Sequence, residues 1–242
     1  MPWPGRATSG LTHWLDVSVH SSRSRKPAAF FCHSIFNVMN IRFQTHARIA
    51  LMVLWGAGSL AAQAQADEAR AKKIVGGVCF VCHGAEGESS SDVFPRLAGQ
   101  HWEYTAKQLE NFKSGKRKST AMADMVAKLT PDEMVALGKF FEKQAVPTEF
   151  AKDPGLAAVG KYIYHNGNKF SGLAACASCH GAEAKGTTTL PRLAGQYADY
   201  IANQLQQFNK RERTNDNAVM HAIVSKMTQL EMVAVAEYLS GK

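Results

Sequence analysis

Apolar residues recur at helical spacing behind two matching capping signals, one in each half of the chain. Each signal is a T-x-x-E box, in which the hydroxyl and the carboxylate satisfy free amides of a first helical turn. The boxes and the apolar positions behind them are Thr130, Glu133, Met134, Leu137 and Phe141, and then Thr228, Glu231, Met232, Val235 and Leu239. No sustained alternation of period two occurs, so the pattern predicts an all-α fold.

The two helical patterns belong to an internal duplication. The block Pro-Arg-Leu-Ala-Gly-Gln stands at residues 95–100 and again at 191–196. Tyr, Gln, Leu and Phe follow both blocks at matching positions: Tyr104, Gln108, Leu109 and Phe112, and Tyr200, Gln204, Leu205 and Phe208. We therefore expect two related lobes, at about 67–146 and 154–242, joined by a linker at 147–153.

Each predicted lobe carries one Cys-x-x-Cys-His motif, the signature of covalent haem c attachment. Two thiols separated by two residues on a helical turn can add to the two vinyl groups of one haem. The following His then becomes an axial ligand of the iron. The predicted attachment residues are Cys79, Cys82, Cys176 and Cys179, and the predicted axial histidines are His83 and His180. The competing interpretations, a zinc site or a thioredoxin-like pair, do not require His directly after the second Cys.

The opposite face of each iron needs a second ligand, and a thioether favours the ferrous state relative to a second His. Met122 and Met220 correspond, each standing eight residues before the capping Thr. Met125 is the rival in the first lobe, because the loop before Met122 is two residues shorter than its counterpart. Met227 aligns with a Leu, and Met232 fits a core position. His101, His165 and His221 have no counterparts in the other lobe, so we expect packing or surface roles for them.

Two pairs of residues beside the histidines have open interpretations. Pro95 and Pro191 could accept a hydrogen bond from the axial His through their carbonyls, or they could serve only as turn prolines. Arg96 and Arg192 could pair with haem propionates or remain solvated.

The region before the first lobe predicts export. Basic residues near Arg42 and Arg48 precede an apolar run at 49–60, and Ala62-Gln-Ala-Gln-Ala66 offers small-residue cleavage sites before Asp67. This order is typical of a signal peptide over 39–66, and the run is too short to span a bilayer. We expect a periplasmic protein that begins at Asp67. Residues 1–38 resemble translated upstream sequence or an unstructured extension.

Removal of residues 1–66 changes the charge balance. That segment holds six of the 28 basic residues and one of the 20 acidic residues, so the exported chain has a net charge of +3 rather than +8. Two haems would bring four propionates and take the holoprotein to about −1 if all of them ionise. The composition therefore gives no support for nucleic-acid binding.

The two Cys-x-x-Cys-His motifs, the Pro-Arg-Leu-Ala-Gly-Gln blocks and the late Met of each lobe together resemble the dihaem cytochrome c4 family, over residues 67–242. The resemblance implies two class I cytochrome c lobes facing each other across a pseudo-twofold axis. It also implies a periplasmic electron carrier, often membrane-associated, that performs no catalysis itself. Its partners would be a quinol-oxidising complex or other donor and a terminal oxidase as acceptor.

Two interpretations of other classes compete. A sulfide-oxidising flavocytochrome has a cytochrome subunit with two such lobes, and its catalysis lies in a separate flavoprotein. A dihaem peroxidase or a thiosulfate-oxidising enzyme would need an open or unusual coordination position at one iron. A spare Met in each lobe argues against that enzyme class.

Overall fold

The computed structural model describes residues 62–242. The predicted upstream extension, most of the predicted signal peptide and Cys32 lie outside this range. Residues 62–74 form the helix α1, so the predicted first residue, Asp67, falls within a helix.

The described chain is helical, and between residues 62 and 242 its extended pairing is limited to an isolated bridge between Asn168 and Leu173. After α1 come a π-helical turn and the first lobe's remaining helices: Val75–Cys79 (π), Phe80–His83 (α2), Trp102–Lys113 (α3), Thr120–Val126 (α4) and Pro131–Glu142 (α5). The second lobe follows with Pro154–Asn166 (α6), Ala177–His180 (α7), Ala198–Asn209 (α8), Val219–Val224 (α9) and Gln229–Ser240 (α10). The predicted all-α fold with two tandem lobes is confirmed.

Each lobe has its own apolar core. In the first, α3 packs against α5 and α4, and α1 adds Ala71 to the core. In the second, α10 packs against α6 and α8, and α8 packs against α9. Attachment cysteines and candidate Met ligands lie against these cores: Cys79 and Met122 in the first, Cys176 and Met220 in the second. The cores therefore surround the places where the cofactor would be held.

Both predicted capping boxes are present. The Thr130 hydroxyl accepts from the Glu133 amide at 3.3 Å, and the Glu133 carboxylate accepts from the Thr130 amide at 2.8 Å. Thr228 and Glu231 repeat this arrangement at 3.2 and 2.7 Å. Each box starts the last helix of its lobe, and the buried positions behind it include Met134, Leu137 and Phe141, and Met232, Val235 and Leu239.

The end of the first lobe packs into the contact between the two repeat blocks. Val146 lies between Gly99 and Gly195, the matching glycines of the blocks. A Cβ at either glycine would come within 2.3 or 2.7 Å of a Val146 methyl carbon. Both glycines also have positive φ angles, of 66° and 77°, which favour Gly over other residues. The block thus needs Gly both for its turn and for the close approach of Val146.

Candidate functional site

Both Cys-x-x-Cys-His motifs end on a short helical turn that closes with a glycine. In α2 and α7 the last residue is the predicted axial histidine, His83 or His180. Gly84 and Gly181 follow with φ near 78° and 79°, a conformation that ends the turn and redirects the chain. The second cysteine and the histidine of each motif are therefore fixed on one rigid turn.

The two histidines are buried and have a defined tautomer. His83 and His180 are each 7% exposed. The Nδ1 of His83 lies 2.8 Å from the Pro95 carbonyl oxygen, and the Nδ1 of His180 lies 3.2 Å from that of Pro191. Because a carbonyl only accepts, Nδ1 carries the proton in both rings, and Nε2 keeps the lone pair that a metal requires.

Burial also keeps these rings neutral. It lowers the pKa of both His83 and His180, although the hydrogen bonds to the proline carbonyls oppose the shift. A neutral imidazole with a protonated Nδ1 is the form that binds iron through Nε2. Of the two interpretations of Pro95 and Pro191, the structure favours the hydrogen-bond acceptor.

The four motif cysteines form no disulfide within the described residues. Burial raises the pKa of Cys79, and it raises the pKa of Cys176 to about 11. Both thiols are therefore protonated near neutral pH and lie at the edge of an apolar core. Within residues 62–242, no group of three or more His, Cys, Asp and Glu side chains is arranged to hold a bare metal ion. Two thiols followed by a Nδ1-protonated imidazole instead fit a haem c group in each lobe.

Met122 and Met220 occupy equivalent local settings. Both are partly buried against the core of their lobe. The amide of each is bonded by a side chain that precedes it: Met122 donates to the Ser119 hydroxyl at 3.3 Å, and Met220 donates to the Asp216 carboxylate. Met125, the rival in the first lobe, is 50% exposed. Met227 and Met232 are core residues, at 8% and 2% exposure.

Within residues 62–242, the three histidines outside the motifs have partners in the protein. His101 Nε2 donates to the Lys185 carbonyl at 2.7 Å, and His221 Nδ1 donates to the Phe208 carbonyl at 3.0 Å. His165 Nε2 lies 3.0 Å from the Tyr238 hydroxyl. The packing roles expected for these histidines agree with these contacts.

The glutamines that end the two repeat blocks join the lobes reciprocally. The Gln100 side chain accepts from the Arg192 amide at 2.8 Å and donates to the Arg192 carbonyl at 3.0 Å. The Gln196 side chain makes the same pair of bonds to Arg96, both at 2.9 Å. Sequence reasoning missed this role, although the repetition of the block was its signal: each Gln recognises the backbone of the other copy.

The two block arginines differ, and the solvated interpretation is wrong for Arg96. Arg96 is 6% exposed and lies over the Tyr197 ring at 3.8 Å. Its guanidinium donates to the Gly195 carbonyl at 2.8 Å and pairs with Glu149 of the linker. Arg192 is half-buried, its Nε donates to the Ala194 carbonyl, and burial lowers its pKa. The difference follows from the linker, which occurs once and supplies a carboxylate to one lobe only.

A second reciprocal contact joins the residue after each block to the opposite lobe. The Tyr197 hydroxyl donates to the Ser89 carbonyl at 2.6 Å, and His101 makes the corresponding bond to Lys185. Because both acceptors lie in the loop that follows an attachment turn, each lobe helps to hold the other's haem-binding loop. Different side chains make the two contacts, so a search for identical residues could not find them.

Comparisons with known proteins agree with this architecture. The cytochrome c family model matches residues 68–145 and again 158–241. The cytochrome c4 of Thiocapsa roseopersicina is 39% identical over 181 residues, which cover 73% of this chain and 91% of that protein. The crystal structure of reduced recombinant cytochrome c4 from Pseudomonas stutzeri is similar with a TM-score of 0.68 and 32% identity, over 72% of this chain and 97% of that one.

One further relative has a named electron donor. The thiosulfate dehydrogenase electron acceptor of Stutzerimonas stutzeri is 34% identical over 202 residues, which cover 78% of this chain and 93% of that protein.

Proposed function

Because this chain belongs to the cytochrome c4 family of dihaem electron carriers, we propose that it passes single electrons between respiratory proteins in the periplasm, toward a terminal oxidase. Two covalent haem c groups are its cofactors. When bound, each haem supplies a one-electron ferric–ferrous couple. One observation carries the proposal most directly: two buried histidines, each directly after an attachment cysteine, have Nδ1 bonded to a proline carbonyl and Nε2 available for iron.

We assign the individual site residues on the same basis. Cys79 and Cys82 would attach the first haem, and Cys176 and Cys179 the second. His83 and His180 would be the axial ligands through Nε2. Met122 and Met220 would complete the coordination, which is supported by the hydrogen bond that each Met amide donates to a preceding side chain and by their position against the cores.

Saturated coordination is the reason to propose a carrier rather than an enzyme. If His and Met occupy both axial positions of each iron, a substrate can reach the metal only after a bond breaks. The purified holoprotein should then show two one-electron transitions, slow carbon monoxide binding in the reduced state and negligible peroxide turnover. Rapid carbon monoxide binding at one haem, or a substantial high-spin ferric signal, would contradict the carrier assignment.

Export and domain limits form a separate part of the proposal. We propose cleavage before Asp67, lobes at 67–146 and 154–242, and a linker at 147–153. Within residues 62–242, no helix combines the length and apolar character needed to cross a bilayer. Intact mass of the protein from a periplasmic extract tests the assignment: the expected mass is that of residues 67–242 plus two haems. A species with one haem, or with residues 1–38 retained, would contradict it.

A thiosulfate-oxidising enzyme is the second candidate donor, favoured by the relative that is named an electron acceptor of thiosulfate dehydrogenase. Stopped-flow mixing of the ferric holoprotein with a quinol-oxidising complex plus quinol, and in parallel with thiosulfate dehydrogenase plus thiosulfate, separates the two donors. If the reduction rate saturates as the concentration of only one of these two enzymes is raised, that enzyme represents the physiological class of donor. Oxidation of the reduced protein by membranes that contain a terminal oxidase tests the acceptor.

A further inference from the structure

Two arginines, one from each lobe, meet in a polar cluster between α3 and α8. Arg117 follows α3, and Arg213 follows α8 at the corresponding position of the repeat. Arg213 is 7% exposed, and Arg117 is half-buried. The arginine cluster comprises these two residues with Tyr104, Gln108, Tyr200, Gln204 and Asn215.

The two positive charges are held close together. Both guanidinium groups donate to the same oxygen, Gln204 Oε1, at 2.8 Å from Arg117 and 2.7 Å from Arg213. Each guanidinium also reaches a tyrosine hydroxyl of the opposite lobe, Tyr200 or Tyr104, at 3.0 and 2.9 Å. Two like charges in a poorly hydrated interface repel each other unless an anion compensates them.

The cluster also has too few acceptors. Gln108 Oε1 accepts from Arg117 at 2.8 Å, from Arg213 at 3.2 Å and from Asn215 at 3.0 Å, although a carbonyl oxygen has two lone pairs. One turn further along α3, the buried Nδ2 of Asn111 has no hydrogen-bond partner. The surplus of hydrogen-bond donors indicates that the cluster binds a group that only accepts hydrogen bonds.

No carboxylate of the described chain supplies that group. Within residues 62–242, neither Arg117 nor Arg213 has an acidic side chain within salt-bridge distance. Of the acidic residues close in sequence to Arg213, Glu212 is exposed, and Asp216 instead accepts from the amides of Ala218 and Met220. Arg96, the other buried arginine of the interface, does have a carboxylate, that of Glu149.

The arginine cluster borders both cores. The Arg117 guanidinium lies over the Phe112 ring at 4.6 Å, and that of Arg213 lies over the Phe208 ring at 4.5 Å. Phe112 packs against the core that also contacts Cys79 and Met122. Phe208 belongs to the core that contacts Cys176 and Met220. A haem anchored in either core is therefore adjacent to the layer of aromatic rings on which the arginines lie.

We propose that the arginine cluster binds carboxylate oxygens of both haem groups, so that each arginine sets the reduction potential of the haem in the opposite lobe as well as its own. The proposal rests on the proposed function, since each haem c carries two carboxylates. The cluster has donors and positive charge without a counter-ion, and a carboxylate provides acceptors and negative charge. The reciprocal contacts extend the influence of each arginine across the interface.

The expected effect of the arginines on the reduction potentials has a definite sign. A fixed positive charge stabilises the haem after it has gained an electron, so it raises the potential. It also keeps a nearby carboxylate ionised. Removal of one arginine should lower both potentials and raise the pKa of that carboxylate toward neutrality, so both potentials should decrease as pH rises through that range. The other ionisable groups in the cluster are the remaining arginine and the hydroxyls of Tyr104 and Tyr200.

Redox titrations of the dihaem holoprotein between pH 5 and pH 9 test the proposal. Arg213→Gln and Arg117→Gln should each shift both potentials downward and make them pH-dependent, whereas Arg213→Lys should retain most of the wild-type potentials. Arg211→Gln and Lys118→Gln are matched controls, because each removes one exposed positive charge close in sequence to a cluster arginine. Arg117 is less buried, so its variant serves if Arg213→Gln does not fold.

Three outcomes would overturn the proposal. The variants could match the controls in both potentials and pH dependence, or each variant could affect only the haem of its own lobe. Alternatively, the wild-type potentials could change when chloride is exchanged for sulfate at constant ionic strength, which would show that the cluster holds a solution anion only. The presence of two one-electron transitions in the wild type is independent of all three outcomes, so failure here is distinguishable from failure of the carrier assignment.

Discussion

The two lobes reach the same attachment geometry by different routes. In the first lobe, α1 continues through the π-helical turn Val75–Cys79 directly into α2, so one helical path carries both cysteines and His83. In the second lobe, α6 ends at Asn166, and a loop at 167–176 precedes α7. The Cys-x-x-Cys-His turn can therefore be preceded either by a helix or by a loop, provided that other contacts fix the position of the turn.

Different contacts hold the two segments. The loop of the second lobe is closed by the Asn168–Leu173 bridge, and the Asn168 side chain donates to the Glu231 carboxylate at 2.7 Å. The Tyr164 hydroxyl donates to the Gly181 carbonyl at 2.7 Å. The first lobe instead exposes apolar side chains on its turn, with Val81 72% exposed, where the second lobe has Ser178. The first segment relies on helix continuity and the second on tertiary hydrogen bonds.

The loops before the candidate Met ligands also differ. The second lobe has two more residues between its cluster arginine and its Met, and Asn217 and Ala218 both have left-handed backbone conformations, with φ of 57° and 65°. The first lobe enters α4 through the Ser119 cap without such residues. The longer loop thus reaches an equivalent Met position at a cost in backbone strain.

The largest expected effect comes from replacing the candidate Met ligands, which tests whether the shorter loop of the first lobe places the Met equivalent to Met220 at the iron. Met122→Leu should remove the first lobe's share of the weak long-wavelength absorption that reports an iron–thioether bond in ferric cytochromes, because no sulfur would reach that iron. Met125→Leu is the matched control and should leave the absorption intact, and Met220→Leu should remove the second lobe's share. The reverse result for Met122 and Met125 would show that the shorter loop changes the ligand.

A substitution in α6 should strongly affect the second lobe alone. A Cβ at Gly160 would lie 1.8 Å from the Ala234 carbonyl oxygen of α10, and a backbone atom cannot move away cheaply. Gly160→Ala should therefore destabilise the second lobe by about 3 kcal/mol. The loss in the free energy of unfolding is measured by urea unfolding, followed through the absorbance of each haem.

Gly155→Ala is the control on the same helix, since its Cβ would meet no atom closer than 3.3 Å. It should change stability by less than about 1 kcal/mol. Equal changes in stability from both substitutions would show that the close crossing of α6 and α10 does not govern this site.

The capping carboxylates give a smaller, pH-dependent difference between the lobes. Burial raises the pKa of Glu231, but hydrogen bonds from Thr228 and Asn168 outweigh it and hold that pKa below its usual value. The hydrogen bond from the Thr130 amide lowers the pKa of Glu133. A lowered carboxylate pKa stabilises the fold above the unfolded-state pKa, and this contribution is lost as pH falls through the folded-state value.

Glu231→Gln should therefore lower the free energy of unfolding at pH 7, and this loss should disappear once the pH falls below the folded-state pKa of Glu231. Glu133→Gln should cost less, because Glu133 has no partner equivalent to Asn168 among its hydrogen bonds. Urea unfolding across this pH range is the measurement. A loss that persists unchanged in acid would mean that the carboxylate charge has no role.

The smallest effect concerns the strained loop of the second lobe. Ala218→Gly should stabilise the protein by about 0.5 kcal/mol, because the left-handed conformation costs Gly little and this gain exceeds the added chain entropy. Ala121→Gly, in the right-handed helix α4, should instead destabilise by a similar amount. A loss of stability at both positions would show that the Ala218 conformation carries no strain.

The sequence by itself determined the chemistry and the repeat. Cys-x-x-Cys-His depends on the spacing of neighbouring residues, and a capping box depends on residues three apart. Local geometry therefore fixes both, and the prediction of two all-α lobes was confirmed. The candidate Met pair was also predicted from the repeat, because each Met stands eight residues before the capping Thr of its lobe.

Only the tertiary structure decided how the lobes are joined. Arg96 is buried because Glu149, 53 residues away, and Tyr197, in the other lobe, both reach it. The arginine cluster brings together side chains about 100 residues apart, such as Gln108 and Arg213. Such contacts depend on the orientation of two separately folded cores, which no local pattern specifies, and so the interface became visible only when both lobes were in place.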